Sequence, residues 1–438
     1  MKRQGPESRI RRGGNDQREH ALVLRARYVA PLERPIIQDG AVAILAERIA
    51  AVGVFHEIRG VEDVIDVGDV VLLPGFANAH THLELSHLAG RVPPMRASSA
   101  RQEPRPPALI EWLDRLMQAR AEAGDDVGII ESAIKTGLDA SIAAGVIALG
   151  DITRLPNISR PLLRDAGVRV VSFGEVTALG QRRHLLDERL AAAVDMSCSS
   201  PTLSVALSPH APYSVEPEGL RACAETARRL GLRSCVHVAE SAEEAEFTLR
   251  RSGPFCQELR RLGIWDDAIP CSGLRPIPLL DQAGLLGETT LLAHANYASD
   301  EDIALLAARG AHVAYCPRTH AAFGHIPHPW RRMLAAGVNV AIGTDSLASN
   351  PSLSVLDELR FLHAREPDAP AQDLLRLGTV HAARALGLQK LVGTITTGKL
   401  ASLVAIPLSS KRSRDPLTSL LESPAQPSAV WIDGRRVL

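Results

Sequence analysis

Apolar positions in this chain fall first into short runs and then into a long alternation of two periods. Between Ala21 and Val71 the runs are brief (Leu22-Val23-Leu24, Val42-Ala43-Ile44-Leu45, Ile49-Ala50-Ala51-Val52), with Gly, Pro and charge between them. Such runs predict short antiparallel strands of a small sheet. A fully apolar run, Val70 to Leu73, reads as a buried strand that continues through Pro74-Gly75 to Ala79 and opens on His80-Thr81-His82. Helical spacing covers 108–123 and 127–144, with Asp125 or Asp126 as the cap. Strand-like runs then recur at Val146–Gly150, Val168–Phe173, Leu203–Leu207, Ser234–Val238, Thr290–Ala293, His312–Tyr315 and Val338–Ile342. Helical stretches such as Pro217–Leu230, Ser241–Leu262 and Ser299–Arg309 lie between them. Counting the strand at 70–79, eight strands alternate with helices, which predicts a closed parallel (β/α)8 barrel of the TIM type. An open doubly wound sheet is the alternative, but it wants a Gly-rich turn after its first strand, and Pro74-Gly75-Phe76 is not one.

After the barrel, 357–362 and 371–386 read as helices, and 398–406 and 430–437 as strands that return to the N-terminal sheet. The expected organisation is a basic flexible tail over 1–20, a small β-sandwich domain built from 21–70 and 399–438, and the barrel over 71–398. Arginines and Lys2 punctuate the tail, which lacks the apolar centre of a secretion signal. A Pro-, Ser- and Arg-rich segment over 91–107 reads as a long loop covering a strand end.

Composition narrows the partners. With 438 residues, 45% hydrophobic and 23% charged, the chain has the balance of a water-soluble globular protein with a sizeable core. A net charge of −1 gives no electrostatic case for nucleic acid or a membrane surface. No apolar run approaches the roughly 18 residues of a membrane span. Six cysteines without a C-x-x-C pair read as reduced thiols of a cytoplasmic enzyme. The expected partner is a small-molecule substrate, with a homo-oligomer compatible with the same balance.

In such a barrel, chemistry gathers at the carboxyl ends of the strands. His80 and His82 sit one residue apart, so on an extended chain both imidazoles face one side. Later strand ends carry Ser208-Pro209-His210-Ala211-Pro212-Tyr213, His237-Val238-Ala239-Glu240-Ser241, His294-Ala295-Asn296, Cys316-Pro317-Arg318-Thr319-His320 and Gly343-Thr344-Asp345-Ser346. Each histidine alone reads equally well as a structural residue. Together with an aspartate on one rim they suggest a metal site.

Pro74-Gly75-Phe76-Ala77-Asn78-Ala79-His80-Thr81-His82, followed by His237-Val238-Ala239-Glu240, His294 and Gly343-Thr344-Asp345, resembles the amidohydrolase superfamily over nearly the whole chain. The resemblance implies that His80, His82, His237 and Asp345 hold one divalent metal, zinc or iron(II), with His294 beside its water. Some branches use two metals bridged by a carboxylated lysine after the fourth strand. Lysine occurs here only at 2, 135, 390, 399 and 411, and that strand ends in His210, which implies a single metal. Glu240, three residues after His237, is similar to the proton shuttle of the aminohydrolases that deaminate purines, pyrimidines and triazines. A bound divalent ion brings the pKa of water to roughly 7, and a neighbouring carboxylic acid can pass a proton to the ring nitrogen and the leaving amine. By this resemblance Glu240, His294 and Asp345 are the catalytic group.

The implied reaction is deamination of an adenine-like nucleoside or another aminated N-heterocycle. The loop around His210 resembles that of methylthioadenosine and S-adenosylhomocysteine deaminases. His82-Leu83-Glu84-Leu85-Ser86 with Cys316-Pro317-Arg318-Thr319-His320 is more similar to aminodeoxyfutalosine deaminases. Candidate pocket residues are Glu84, Trp112, His210, Arg318 and His320. Two other readings are hydrolysis of a different C–N or C–halogen bond, and a non-catalytic binding protein of the same fold.

Overall fold

A computed structural model describes residues 22–58, 63–92, 109–124, 126–408 and 415–438. The basic tail and all but the first two residues of the 91–107 loop lie outside the described residues. Strands β1 (Leu22–Val29), β2 (Ile37–Leu45), β3 (Arg48–Val54), β4 (Asp63–Asp66) and β5 (Val70–Pro74) come first. The barrel strands are β6 (Phe76–Thr81), β7 (Val146–Thr153), β8 (Arg169–Val176), β9 (Leu203–Pro209), β10 (Ser234–Val238), β11 (Thr290–His294), β12 (His312–Tyr315) and β13 (Asn339–Ile342). β14 (Leu403–Pro407), β15 (Ala429–Ile432) and β16 (Arg435–Arg436) close the chain.

Both chain ends build one sheet in the order β16-β15-β14-β5-β1-β2-β3, with β4 beside β1. Its two edges meet. Ile49 N donates to Lys399 O at 2.9 Å, Ala401 N to Glu47 O at 2.8 Å and Gly434 N to Ala401 O at 2.9 Å. The sheet therefore curls around Leu24, Val42, Ile49, Leu72, Leu403 and Trp431, which pack as its own core. Strand alternation sends the intervening residues the other way: Val71, Leu73, Val404, Ile406, Val430 and Ile432 belong to the barrel's core.

The apolar stretch expected as one strand over 70–79 is two. β5 pairs with β14 and β1, and β6 pairs with β7 in the barrel. The change of sheet falls at Gly75, where a Cβ would lie 2.5 Å from the Ile147 side chain. The small sheet thus runs to Pro74, beyond the expected boundary at 70.

All eight barrel strands are parallel neighbours in chain order. The first and last meet where Thr344 N and Asp345 N donate to His80 O at 3.1 and 3.0 Å. Asn78 reinforces that seam. Its amide donates to Thr344 Oγ1 at 2.7 Å, and its Oδ1 accepts from Thr344 N at 3.1 Å. Helices cover the outside. Asp126 caps the helix Val127–Ala143 through Gly128 N at 2.8 Å, as the spacing predicted. The helix expected over 241–262 is two, Ala242–Arg250 and Pro254–Arg261, because Arg251 and Gly253 take left-handed backbone and Pro254 starts afresh.

A second apolar cluster sits apart from the barrel core, over the strands' carboxyl ends. It joins Leu85, Trp112, Leu116, Leu179, Tyr213, Phe255, Leu259 and Ile264. Helices Leu109–Ala123 and Pro254–Arg261 supply much of it and so wall a cavity above the barrel. Among the described residues no helix is long and apolar enough to cross a membrane.

Candidate active site

Side chains from four strand ends converge at the barrel mouth. His80 on β6, His82 just after it and His237 on β10 place ring nitrogens within 4.8 Å of one another. His82 Nε2 and His237 Nε2 are 3.2 Å apart. Asp345, one turn past β13, brings Oδ1 to 3.7 Å from His82 Nε2 and 3.9 Å from His80 Nε2. The local backbone is unusual: Ala239, His294, Ala295 and Asp345 all have φ between 50 and 71°. Each such non-glycine residue costs of the order of 1 kcal/mol, and strain of this kind gathers at functional sites. Close approach matters too. A Cβ on Gly343 would lie 2.8 Å from His80 Cβ, so the strand carrying Asp345 can press against His80 only without a side chain there.

Three observations fit this group to a divalent cation. His80 Nε2 is buried with no hydrogen-bond partner. His237 Nδ1 lies 3.0 Å from His210 O and donates to it, which leaves Nε2 bare toward the cluster. His82 Nε2 faces that bare nitrogen at 3.2 Å. Two nitrogens bound at 2.0–2.1 Å to one tetrahedral ion lie roughly 3.3 Å apart. Asp345 is oriented in the same sense, because Ser349 Oγ donates to its Oδ2 at 2.7 Å and leaves Oδ1 facing the imidazoles. Burial holds His80 and His82 well below the usual imidazole range and His237 at about 4, so all three are neutral ligands at pH 7. Without a cation, burial raises the Asp345 carboxyl to about 6.

Beside the cluster, Glu240 Oε1 stands 3.6 Å from His294 Nε2. Burial, then the Asp345 and Glu244 carboxyls, push the Glu240 acid well above the ordinary carboxyl range, which favours its protonated form. Its backbone is clamped from both sides: Glu240 N donates to Glu244 Oε2 at 2.9 Å, and Asn296 Nδ2 donates to Glu240 O at 3.0 Å. His294 is held through its carbonyl, which accepts from His328 Nε2 at 2.8 Å.

A cavity of about 340 Å³ opens from these groups. Glu84, Trp112 and His210 line it, as expected. Glu84 is nevertheless committed to the scaffold. Its Oε2 accepts from Thr153 Oγ1 at 3.0 Å and Arg154 N at 3.2 Å, and its Oε1 pairs with Arg154 Nε at 3.4 Å. Trp112 donates to Val92 O at 2.8 Å and packs edge-on against Phe323. Arg318 and His320 do not reach the cavity wall, which corrects their expected place. Pro317 starts a short helix after β12 and turns both away. Arg318 donates to Ser352 Oγ at 2.8 Å, and His320 Nε2 donates to Ile326 O at 2.9 Å. Sequence reading passed over Asn78, Ser349 and Asn296, and over Glu175, Arg154 and Arg189 on the wall. The signal for Glu175 was a carboxylate at the end of an apolar run, in Phe173-Gly174-Glu175-Val176.

Known proteins resemble this chain in sequence and fold. The profile of the amidohydrolase family matches residues 71–437. The 5-methylthioadenosine/S-adenosylhomocysteine deaminase of Moorella thermoacetica is 30% identical over 400 residues, covering 88% of this chain and 85% of the relative. The 5'-deoxyadenosine deaminase of Methanothermobacter thermautotrophicus is 28% identical, covering 84% and 81%. Among solved structures, an adenosine deaminase from Xanthomonas campestris with bound zinc superimposes with a TM-score of 0.78 at 25% identity, over 95% of this chain and 92% of that one. The Helicobacter pylori aminofutalosine deaminase, in complex with methylthio-coformycin, matches in fold with a TM-score of 0.81 at 24% identity, over 95% and 100%. On the profile match and the Moorella relative, the chain belongs to the amidohydrolase family.

Proposed function

We propose that this amidohydrolase removes an exocyclic amino group, as ammonia, from an adenine-like heterocycle carried on a sugar. The observation behind the reading is the meeting, at one end of one cavity, of three imidazoles, the Asp345 carboxyl and a second buried carboxyl, Glu240. The names of the relatives point the same way. His80, His82, His237 and Asp345 would hold one divalent ion, zinc or iron(II), a donor set suited to either. Such an ion supplies Lewis acidity that makes water a nucleophile near neutral pH.

The protein's own groups manage the protons. Glu240, kept acidic by burial, gives its proton to the ring nitrogen next to the amine-bearing carbon, which makes that carbon electrophilic. The carboxylate of Asp345, fixed by Ser349, accepts the proton that the attacking water loses. Glu240 regains a proton from the hydroxyl of the adduct and passes it to the amine, which leaves as ammonia while the ring carbonyl forms; the proton on Asp345 then restores Glu240 to its acid form. His294, neutral and 3.6 Å from Glu240, orients the attacking oxygen and stabilises charge that develops on it. The apolar far wall, with Leu113, Leu116, Leu259 and Leu262, excludes water from the reacting end. A cytoplasmic setting fits the six free cysteines.

Ammonia release across a panel of aminated purines and their nucleosides, using metal-analysed protein, tests the reading. Turnover of an aminated purine nucleoside is the expected result. Turnover only of halogenated or amide substrates, without ammonia from any aminated ring, would replace it with another hydrolysis. Protein that holds no metal and turns over nothing would make the chain a binding protein.

A further inference from the structure

The chemistry above leaves one buried carboxyl on the cavity wall without a task. Glu175 ends β8, its side chain is only 7% exposed, and it makes no hydrogen bond among the described residues. Its Oε2 lies 4.0 Å from His210 Nε2, and both residues line the cavity. His210 Nδ1 is engaged by Ser214 Oγ at 2.6 Å, and that hydroxyl also lies 3.1 Å from Ala211 O. His210 Nε2 is the ring nitrogen left facing the cavity. Two polar atoms face one another across a gap too wide for a direct bond and suited to one bridging oxygen.

Charge selects the group that fills the gap. Arg154, Arg182 and Arg189 line the same wall and disfavour a cation. Glu175 itself disfavours an anion. A neutral hydroxyl has one proton to give and lone pairs to receive, so it bridges Glu175 and His210 Nε2 when one of the two donates and the other accepts. The His210 ring centre is 5.0 Å from that of His237, which puts the gap about one ring's width from the reacting end, where a substituent on the heterocycle would emerge. We propose that Glu175, with His210, binds a hydroxyl of the sugar attached to the heterocycle and so selects nucleosides over deoxygenated analogues. This rests on the deaminase reading for the position of the heterocycle.

The test compares wild type, Glu175→Ala and Glu175→Gln on adenosine and 2',3'-dideoxyadenosine, by ammonia release and by calorimetric binding. Wild type should prefer adenosine, and Glu175→Ala should lose roughly tenfold or more of that preference, mostly in KM, as expected for a hydrogen bond to a carboxyl group. Glu175→Gln, whose amide still meets a hydroxyl, should keep most of it. Removing an unpartnered buried carboxyl should leave the melting temperature no lower. If the alanine variant fails to fold, Glu175→Met gives the same comparison. Equal losses on both ligands, or no preference in wild type, would overturn the subsite. Hydroxyl-dependent binding that Glu175→Ala abolishes, with no ammonia from either compound, would uphold the subsite and sink the deaminase reading instead. Absence of binding to both compounds would overturn the subsite as well.

Discussion

Replacing Glu240 by glutamine separates proton transfer from everything else the site does. The backbone of residue 240 is held by Glu244 and Asn296, neither of which touches the carboxyl. The carboxyl itself makes no hydrogen bond among the described residues and stands 3.6 Å from His294. An amide of the same shape therefore fits without moving the loop, and it relieves the cost of burying an acid against Asp345 and Glu244. Metal content and melting temperature should stay at or above wild type. Turnover should not survive. A positioned general acid contributes about 10²- to 10⁴-fold, which at 1.36 kcal/mol per tenfold is about 3 to 5 kcal/mol of barrier. The loss should appear in kcat, with KM little changed, because the proton moves only in the transition state. Steady-state ammonia release on metal-quantified protein measures it. Metal lost in step with activity, or kcat within a few-fold of wild type, would refute Glu240 as the shuttle.

Three more outcomes follow from particular contacts. Metal affinity should fall about tenfold per pH unit between 6 and 4: burial holds the Asp345 carboxyl at about 6, so below that pH one proton must leave before a cation binds, whereas His237, held at about 4, adds a second proton only lower still. Competition with a metal-binding dye across that range checks the slope. Arg160, fully buried, donates to Ser172 O, Ala193 O and Asp195 O at 3.3, 2.6 and 3.0 Å, so Arg160→Met should cost about 3 kcal/mol in urea unfolding by stranding those carbonyls, with metal content unchanged. His328→Phe should lower kcat without loss of metal, because it frees the His294 carbonyl within a left-handed pair of residues; His328→Gln, able to donate to the same oxygen, should recover part of it.

Much of the site was legible because the barrel turns chain order into spatial order. His80, His82, His237, His294 and Asp345 each end a parallel strand, and parallel strands in sequence bring their carboxyl ends to one rim. Apolar periodicity located those ends to within a residue or two at β10 and β12, whose runs are bounded by polar turns. It failed where apolarity continued across a change of partner. Val70 to Ala79 is buried throughout, so nothing in its hydropathy marks Gly75 as the passage from one sheet to the other. It failed again after β12, where Arg318 and His320 look like rim residues until Pro317 turns the chain into a helix. Glu175 was missed by two positions, because the strand was read as ending at Phe173 and its polar end was never inspected. Ser349 and Asn296 gave no local signal, since their roles come from partners contributed by other turns and strands.

The convergence of ligands from β6, β10 and β13 on a single cation is tested most directly by metal content per chain. Purified wild type, analysed by inductively coupled plasma mass spectrometry, should carry one zinc or iron ion per chain, and His82→Ala, His237→Ala and Asp345→Ala should each lose it while remaining folded by circular dichroism. Two ions per chain, or full occupancy in the folded His237→Ala and Asp345→Ala variants, would contradict the site.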